Sequence, residues 1–594
     1  YSANQPSLKD AVVSFGGFCT GAVVSDRGLV ITNHHCGYRA IQSHSTVEND
    51  YLKDGFWAAD TSEEKPNPDL HVTFVRRIEE VTEQILPKLS SDMEAAEREE
   101  VVNTTGDQLV AEATNGTHYD GYVKPFFKGN RYFMFITETF PDVRLVGAPP
   151  SGIGKFGGDV DNWMWPRHSG DFSVFRIYAG PDNQPAPYAE ENRPYQPRKH
   201  FQVSTAGIDR GDFTMIFGFP GRTEQYLPSQ AVEQRQNITN PIRIRLRGKR
   251  IDVMNRYMDK NDTLRLMYAS KQSGISNGWK KWIGQNKGLK RLDAIEKKKA
   301  FELRFSQWVA ADEQRQEDYG HLLSSFSDQY EKLRGNERVY QYFLEGLYAI
   351  EALKFANSFS PLLEPEELGE EKASELVSNL RKQTSKHFES YHAPIDREIA
   401  ALMLEEYFEH TAHKYHPASA REAFRNKYHG DYQAYANALF ETSHFTNGSK
   451  LETLLQQSPE EIREKLASDP LWQLTHDAIE IYRKKINPTR KRIQAGIEEL
   501  NPAWMKAILE MKEGQQLYPD ANSTMRVGYG QVQRYEPRDG VIYKTFTTMD
   551  GILLKEDPES RWFTVPPRLK KLYKNENFGR YARKDGRMPV CFIA

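Results

Sequence analysis

Gly28-Leu-Val-Ile-Thr-Asn-His-His-Cys-Gly-Tyr38 (GLVITNHHCGY) sets two histidines and a cysteine directly after an apolar run. The run reads as a strand, and the turn Asp26-Arg27-Gly28 separates it from a second apolar segment, GFCTGAVVS, at residues 17–25. A strand that ends in a histidine beside a cysteine is one way a serine protease presents its general base, which needs a buried carboxylate behind it and a nucleophile in front. His-His-Cys also offers three types of metal ligand. Neighbouring strand residues point to opposite faces, however, so His34 and His35 are not expected to hold one ion together. No second cluster of the CxxC or HExxH kind completes a site, and no metal is assigned.

Moving outward, residues 1–221 are strand-rich. LHVTFVRRI (70–78), RYFMFITETF (131–140), VRLVGAP (143–149), DFSVFRIYAG (171–180) and DFTMIFGFPG (212–221) are short apolar runs punctuated by Gly and Pro, the pattern of a barrel or sandwich. MEAAEREEVVNTTGDQLVAEA (93–113) reads as a surface helix between them. Residues 222–514 change to helical apolar spacing with dense Lys, Arg and Glu. Ser458-Pro459-Glu460-Glu461 carries a capping serine with glutamate three positions on, and Asn501-Pro502 is read as opening another helix in the same way. Residues 515–594 return to strand chemistry, with a hairpin expected around Asp539-Gly540.

At 594 residues the chain exceeds the roughly 250–300 residues that one core supports, so two or three structural units are expected. Charged residues make up 27% of the chain and the net charge is −3, with acids and bases interspersed, which gives no footprint for nucleic acid. No run approaches the ~18–20 apolar residues of a membrane span. YSANQPSLKDAVV lacks the charged and apolar regions of a leader, and the chain stops in the strand-like GRMPVCFIA, so both ends are expected to be truncated. Of three cysteines, Cys591 stands alone. Cys19 and Cys36 are either buried thiols or a bridge tethering the loop of His35, and a bridge points to an oxidising compartment.

GGFCTGAVVSDRGLVITNHHCGYRAIQSHS, LVGAPPSGIGKFGGDVDNWMWPRHSGDFSVFRIYAG and YGQVQRYEPRD…GRMPVCFIA resemble one family, the bacterial serine exopeptidases that include dipeptidyl-peptidases 7 and 11. The likeness runs through almost the whole chain. It implies a mixed β and α fold, a chymotrypsin-like double β-barrel with a large inserted all-α cap domain. In this reading 1–221 is the catalytic β-region, 222–514 the cap, and 515–594 the start of the closing part of the barrels.

By the same resemblance His35 matches the general base and Asp171 its orienting carboxylate. Asn162, Trp163, Arg167 and Asn277 match the residues that receive a substrate's amino terminus. Amide oxygens and an aromatic face suit an ammonium; Arg167 is expected to orient neighbours or substrate carbonyls instead. The family's nucleophile lies in a GGNSGSP segment after the final strand, where this chain has ended. Ser151, Ser169 and Ser273 match other family segments and do not replace it.

The resemblance implies a cofactor-free dipeptidyl-peptidase acting on oligopeptides with free amino termini. It further implies a homodimer, periplasmic or secreted, in a Gram-negative bacterium. GISNGWKKWIGQNK favours a hydrophobic penultimate residue; the alternatives are an Asp/Glu preference or a non-catalytic homologue that binds peptide amino termini. A metal-dependent intracellular hydrolase would require reduced Cys19 and Cys36.

Overall fold

The computed structural model describes residues 2–90, 93–364 and 369–593. They form two compact units, one made of 1–226 with 501–594 and the other of 227–500.

The first unit is built on an eleven-stranded antiparallel sheet. The main hydrogen-bonded order is Phe56–Trp57, Val143–Ala148, Ser173–Ala179, Leu29–Thr32, Cys19–Val23, Val12–Phe15, Val72–Glu80, Arg131–Phe140 and Asp120–Phe126. Val13, Phe15, Val23, Val30, Phe74, Phe140 and Phe175 are fully buried. Each such side chain removed from water contributes about 1.5–3 kcal/mol, which makes the centre of the sheet the main apolar core of the unit. The helix expected at 93–113 forms as Ala95–Thr114.

The expected double barrel is not found. Closure requires the two end strands to pair, and among the described residues Phe56–Trp57 and Asp120–Phe126 stand at opposite ends of an open path. The later strands occur as separate two-stranded ladders. Phe213–Gly218 pairs with Arg526–Gln531, Tyr535–Arg538 with Val541–Tyr543 around Asp539-Gly540, and Phe546–Thr548 with Pro589–Phe592. Ala594, the last residue of the run GRMPVCFIA, lies outside the described residues.

The second unit is helical. Its cap at Ser458 is reciprocal: Glu461 N donates to Ser458 Oγ at 3.3 Å, and Ser458 N donates to the Glu461 carboxylate at 3.0 Å. Asn501-Pro502 does not open a helix. Pro502 lies inside the helix Asn487–Met511, and its carbonyl accepts the Asn130 amide at 3.0 Å. An Asn-Pro pair carries the same local signal at a helix start and at an interior proline.

Candidate active site

The strand Leu29–Thr32 ends before the histidines, and His34–Ser43 is a helix with Asn33 as its N-cap. The two imidazoles are therefore separated by the roughly 100° rotation of successive helical residues, not by strand alternation as expected. Gly37 allows this helix to lie against the strand Ser173–Ala179. A Cβ there would meet Ser173 Oγ at 2.6 Å and the Phe175 ring at 3.0 Å. That close approach brings the residue just before the strand, Asp171, beside the first helical turn.

His35 Nδ1 lies 2.9 Å from Asp171 Oδ2, and the His35 backbone N–H donates to Oδ1 at 3.2 Å. The imidazole is 57% exposed, whereas the carboxylate is 17% exposed, so the base opens to solvent on a largely covered acid. Burial of Asp171 works against its charge. Hydrogen bonds from the His35 ring and backbone, with Arg167 nearby, outweigh that and hold the carboxyl below its ordinary pKa. It is thus a carboxylate at neutral pH.

His34 is a different kind of group. It is fully buried, edge-on to Tyr38 at 5.8 Å, and its pKa is pushed down to about 4, chiefly by burial. A Cβ at Gly154 would stand 2.3 Å from its ring. It is a neutral core residue.

Cys19 and Cys36 form a disulfide with a Cα–Cα separation of 6.1 Å. Although Cys19, His35 and Cys36 place their ligand atoms within 4.8 Å of one another, both sulfurs are bonded to each other and offer no thiolate. That removes the metal-dependent hydrolase reading, which needs both thiols reduced. The bridge ties the strand Cys19–Val23 to the helix of His35. Replacing both cysteines by serine is expected to lower the unfolding free energy by about 3 kcal/mol, as closure of a loop of this size predicts. Urea denaturation with and without reductant checks it, and an unchanged midpoint would show that the bridge adds nothing.

The segment leading to Asp171 carries three more of the expected site residues. Asn162 ends the short helix Gly158–Asp161, and its side-chain oxygen accepts the Trp163 N–H at 3.1 Å. Trp163 has φ +59° and is 56% exposed. That conformation costs a non-glycine residue about 1–3 kcal/mol, and it holds the indole in solvent. Arg167 turns back towards the dyad, with Nε donating to Ser169 Oγ at 3.0 Å and Nη2 3.8 Å from Asp171 Oδ2.

Lys555 anchors this segment through Asp161 Oδ2 at 2.8 Å and the Pro166 carbonyl at 3.3 Å, and Thr547 Oγ1 donates to the Arg167 carbonyl at 2.6 Å. The sequence offered no signal for Lys555 or Thr547, because they come from nearly 400 residues away. Cys591, read as isolated, donates its thiol to the Ser169 carbonyl at 3.4 Å. Asn277 is exposed on the helix Asp262–Arg291 of the second unit.

Asn33, Asp171 and Phe172 also line a groove of about 1030 Å³ in the first unit, floored by apolar side chains including Ile31, Met215 and Phe217. A base oriented by a carboxylate beside a large groove suits activation of a hydroxyl or thiol nucleophile for acyl transfer.

A family model described as Peptidase S46 matches residues 1–594. The chain is 39% identical over 595 residues to an Asp/Glu-specific dipeptidyl-peptidase of Capnocytophaga gingivalis, covering 100% of this chain and 83% of the relative. It is 38% identical over 607 residues to dipeptidyl-peptidase 7 of Phocaeicola vulgatus, covering 100% and 82%. Among solved structures, Porphyromonas endodontalis DPP11 in complex with the dipeptide Arg-Glu superposes with a TM-score of 0.90 at 35% identity, covering 100% of this chain and 85% of that one.

Proposed function

From the premise that the chain belongs to the peptidase S46 family, we propose that it is a serine exopeptidase that releases dipeptides with Asp or Glu in the penultimate position from free peptide amino termini. The observation that carries the chemistry is the His35–Asp171 pair, an exposed imidazole held by a covered carboxylate. The acidic preference replaces the hydrophobic one expected from GISNGWKKWIGQNK. It is supported by relatives named Asp/Glu-specific at 38–40% identity, and by a structural relative bound to Arg-Glu.

In this reading His35 Nε2 takes the proton of a serine hydroxyl as that oxygen attacks the scissile carbonyl. The imidazolium then gives the proton to the departing amine as the peptide bond breaks, and water releases the dipeptide from the acyl-enzyme by the same steps. We place the serine outside these 594 residues, in the part of the S46 relatives that the chain does not span. Asn162 and the exposed face of Trp163 receive the substrate ammonium, and Arg167 steadies Asp171. The chemistry requires no cofactor. The disulfide supports an oxidising compartment, periplasmic or secreted, and the protein acts as a homodimer, as the family resemblance implies.

Dipeptide reporters with free or blocked amino termini, and with Glu or Leu in the penultimate position, test this on the full-length protein. Cleavage is expected only of unblocked reporters, with kcat/KM at least about tenfold higher for Glu, the scale of a single well-placed specificity contact. Cleavage of blocked reporters would rule out the exopeptidase reading. Binding of unblocked peptides without cleavage would make the protein a non-catalytic homologue.

A further inference from the structure

We infer that Asn33 is a positioning residue that locks the His35–Asp171 pair, an inference that rests on the acyl-transfer reading of that pair. Asn33 is the N-cap of the helix that presents His35, yet its side chain makes no capping hydrogen bond. Elsewhere Asn261, Asp312, Asn447 and Ser458 accept a first-turn backbone N–H in the ordinary way. The Asn33 amide instead donates to Asp171, at 3.1 Å to the carbonyl oxygen and 3.4 Å to Oδ2.

The backbone of the same residue fixes the other side of the pair. Its carbonyl accepts the N–H groups of Cys36 at 3.1 Å and Gly37 at 3.2 Å, and the hydroxyl of Ser173 at 2.9 Å. Ser173 is fully buried two positions beyond Asp171. Asn33 thus joins the helix that carries the base to the acid and to the strand that follows it. Asn33 itself is exposed, so packing does not account for an amide at this position.

The chemistry requires a donor of this length. Aspartate would set a second carboxylate against Asp171, and serine caps a helix as well as asparagine but is too short to reach. Among the described residues, removing the donor leaves Asp171 Oδ2 with His35 Nδ1 and the more distant Arg167 while Oδ1 keeps the His35 N–H, so the carboxylate loses one of its anchors and can tilt about the others.

Asn33→Ser and Asn33→Ala in the full-length protein separate positioning from capping. Both are expected to lower kcat about 10–100-fold, the cost of a misplacement on the scale of 1 Å. KM for unblocked reporters should be nearly unchanged, and the serine variant should melt with the parent. In proton NMR, the low-field resonance of the His35 Nδ1–H shared with Asp171 should move or vanish in both variants. Parent-like kcat with an unmoved resonance in Asn33→Ser overturns the inference. So does activity lost in the alanine variant and restored in the serine variant, which would leave capping as the role. A parent without peptidase activity would instead defeat the proposed function, and the resonance comparison alone would then decide the role of Asn33.

Discussion

Asp171→Asn in the full-length protein is expected to lower kcat about 10⁴-fold with little change in KM or thermal stability. The carboxylate accepts the His35 Nδ1 proton at 2.9 Å, which leaves Nε2 unprotonated and able to act as base. An asparagine of the same shape can present its NH₂ to Nδ1 and hold the opposite tautomer, with Nε2 already protonated. The backbone bond from His35 N at 3.2 Å can pass to the amide oxygen, so the fold does not depend on the charge.

The pH dependence follows the same group. The Asp171 carboxyl is held below its ordinary pKa, so the orientation it supplies is complete above that ordinary value and is lost only as pH falls through the depressed one. A kcat within about tenfold of the parent would mean that the carboxylate does not hold the base, because tautomer loss alone predicts far more.

Arg76→Met is expected to lower the unfolding free energy of the first unit by about 3–5 kcal/mol. Arg76 is 3% exposed in the strand Val72–Glu80. Its guanidinium donates to Glu138 at 2.6 Å, to Asp10 at 3.0 Å and to the Tyr195 hydroxyl at 2.9 Å, and it stacks on Phe74 at 4.3 Å. Lys9 holds the other oxygen of Asp10 at 2.8 Å, and His118 lies 2.6 Å from the other oxygen of Glu138. Methionine fills the volume but leaves two buried carboxylates short of a cation. Removing one partner of such a network costs more than never having built it.

Burial by itself would raise the Asp10 pKa, but Lys9, the Ser7 N–H and Arg76 together hold it below the ordinary value. In the parent, Asp10 therefore contributes stability that is present above its unfolded pKa and lost as pH falls through the depressed folded value. In Arg76→Met the depression shrinks, so the acid loss starts at higher pH. Urea titrations from about pH 2 to 7, which span the ordinary carboxyl range and the depressed value below it, measure both effects. A midpoint equal to that of the parent at pH 7 would show that solvent or neighbouring groups replace the guanidinium without cost.

The strands were legible where apolar residues ran between turn residues. RYFMFITETF was bounded at 131–140 and forms a strand over Arg131–Phe140, because both its faces are covered and local preference and burial agree. The strand expected through GLVITNHH ends at Thr32, and a helix begins at His34. The apolar run gives no sign that a helix starts at His34, and the start is held by the Asn33 carbonyl and by Ser173, about 140 residues away. Asn501-Pro502 failed for the converse reason, since its local chemistry is the same at a helix start and within a helix. The barrel expectation rests on the run of short strands as well as on resemblance, and strand runs specify ladders without specifying whether the last pairs with the first.

At the site, the sequence by itself determined the chemistry on offer: two histidines, a cysteine that can be bridged, and an aspartate at the head of a strand. Only the tertiary structure decided their parts. His34 and His35 are equivalent to local pattern, but successive helical residues point about 100° apart, and packing against Gly154 and Tyr38 takes one into the core while the other meets a carboxylate 136 residues along the chain. Which side of a helix is covered is set by what packs on it, and that partner lies beyond the reach of any local pattern.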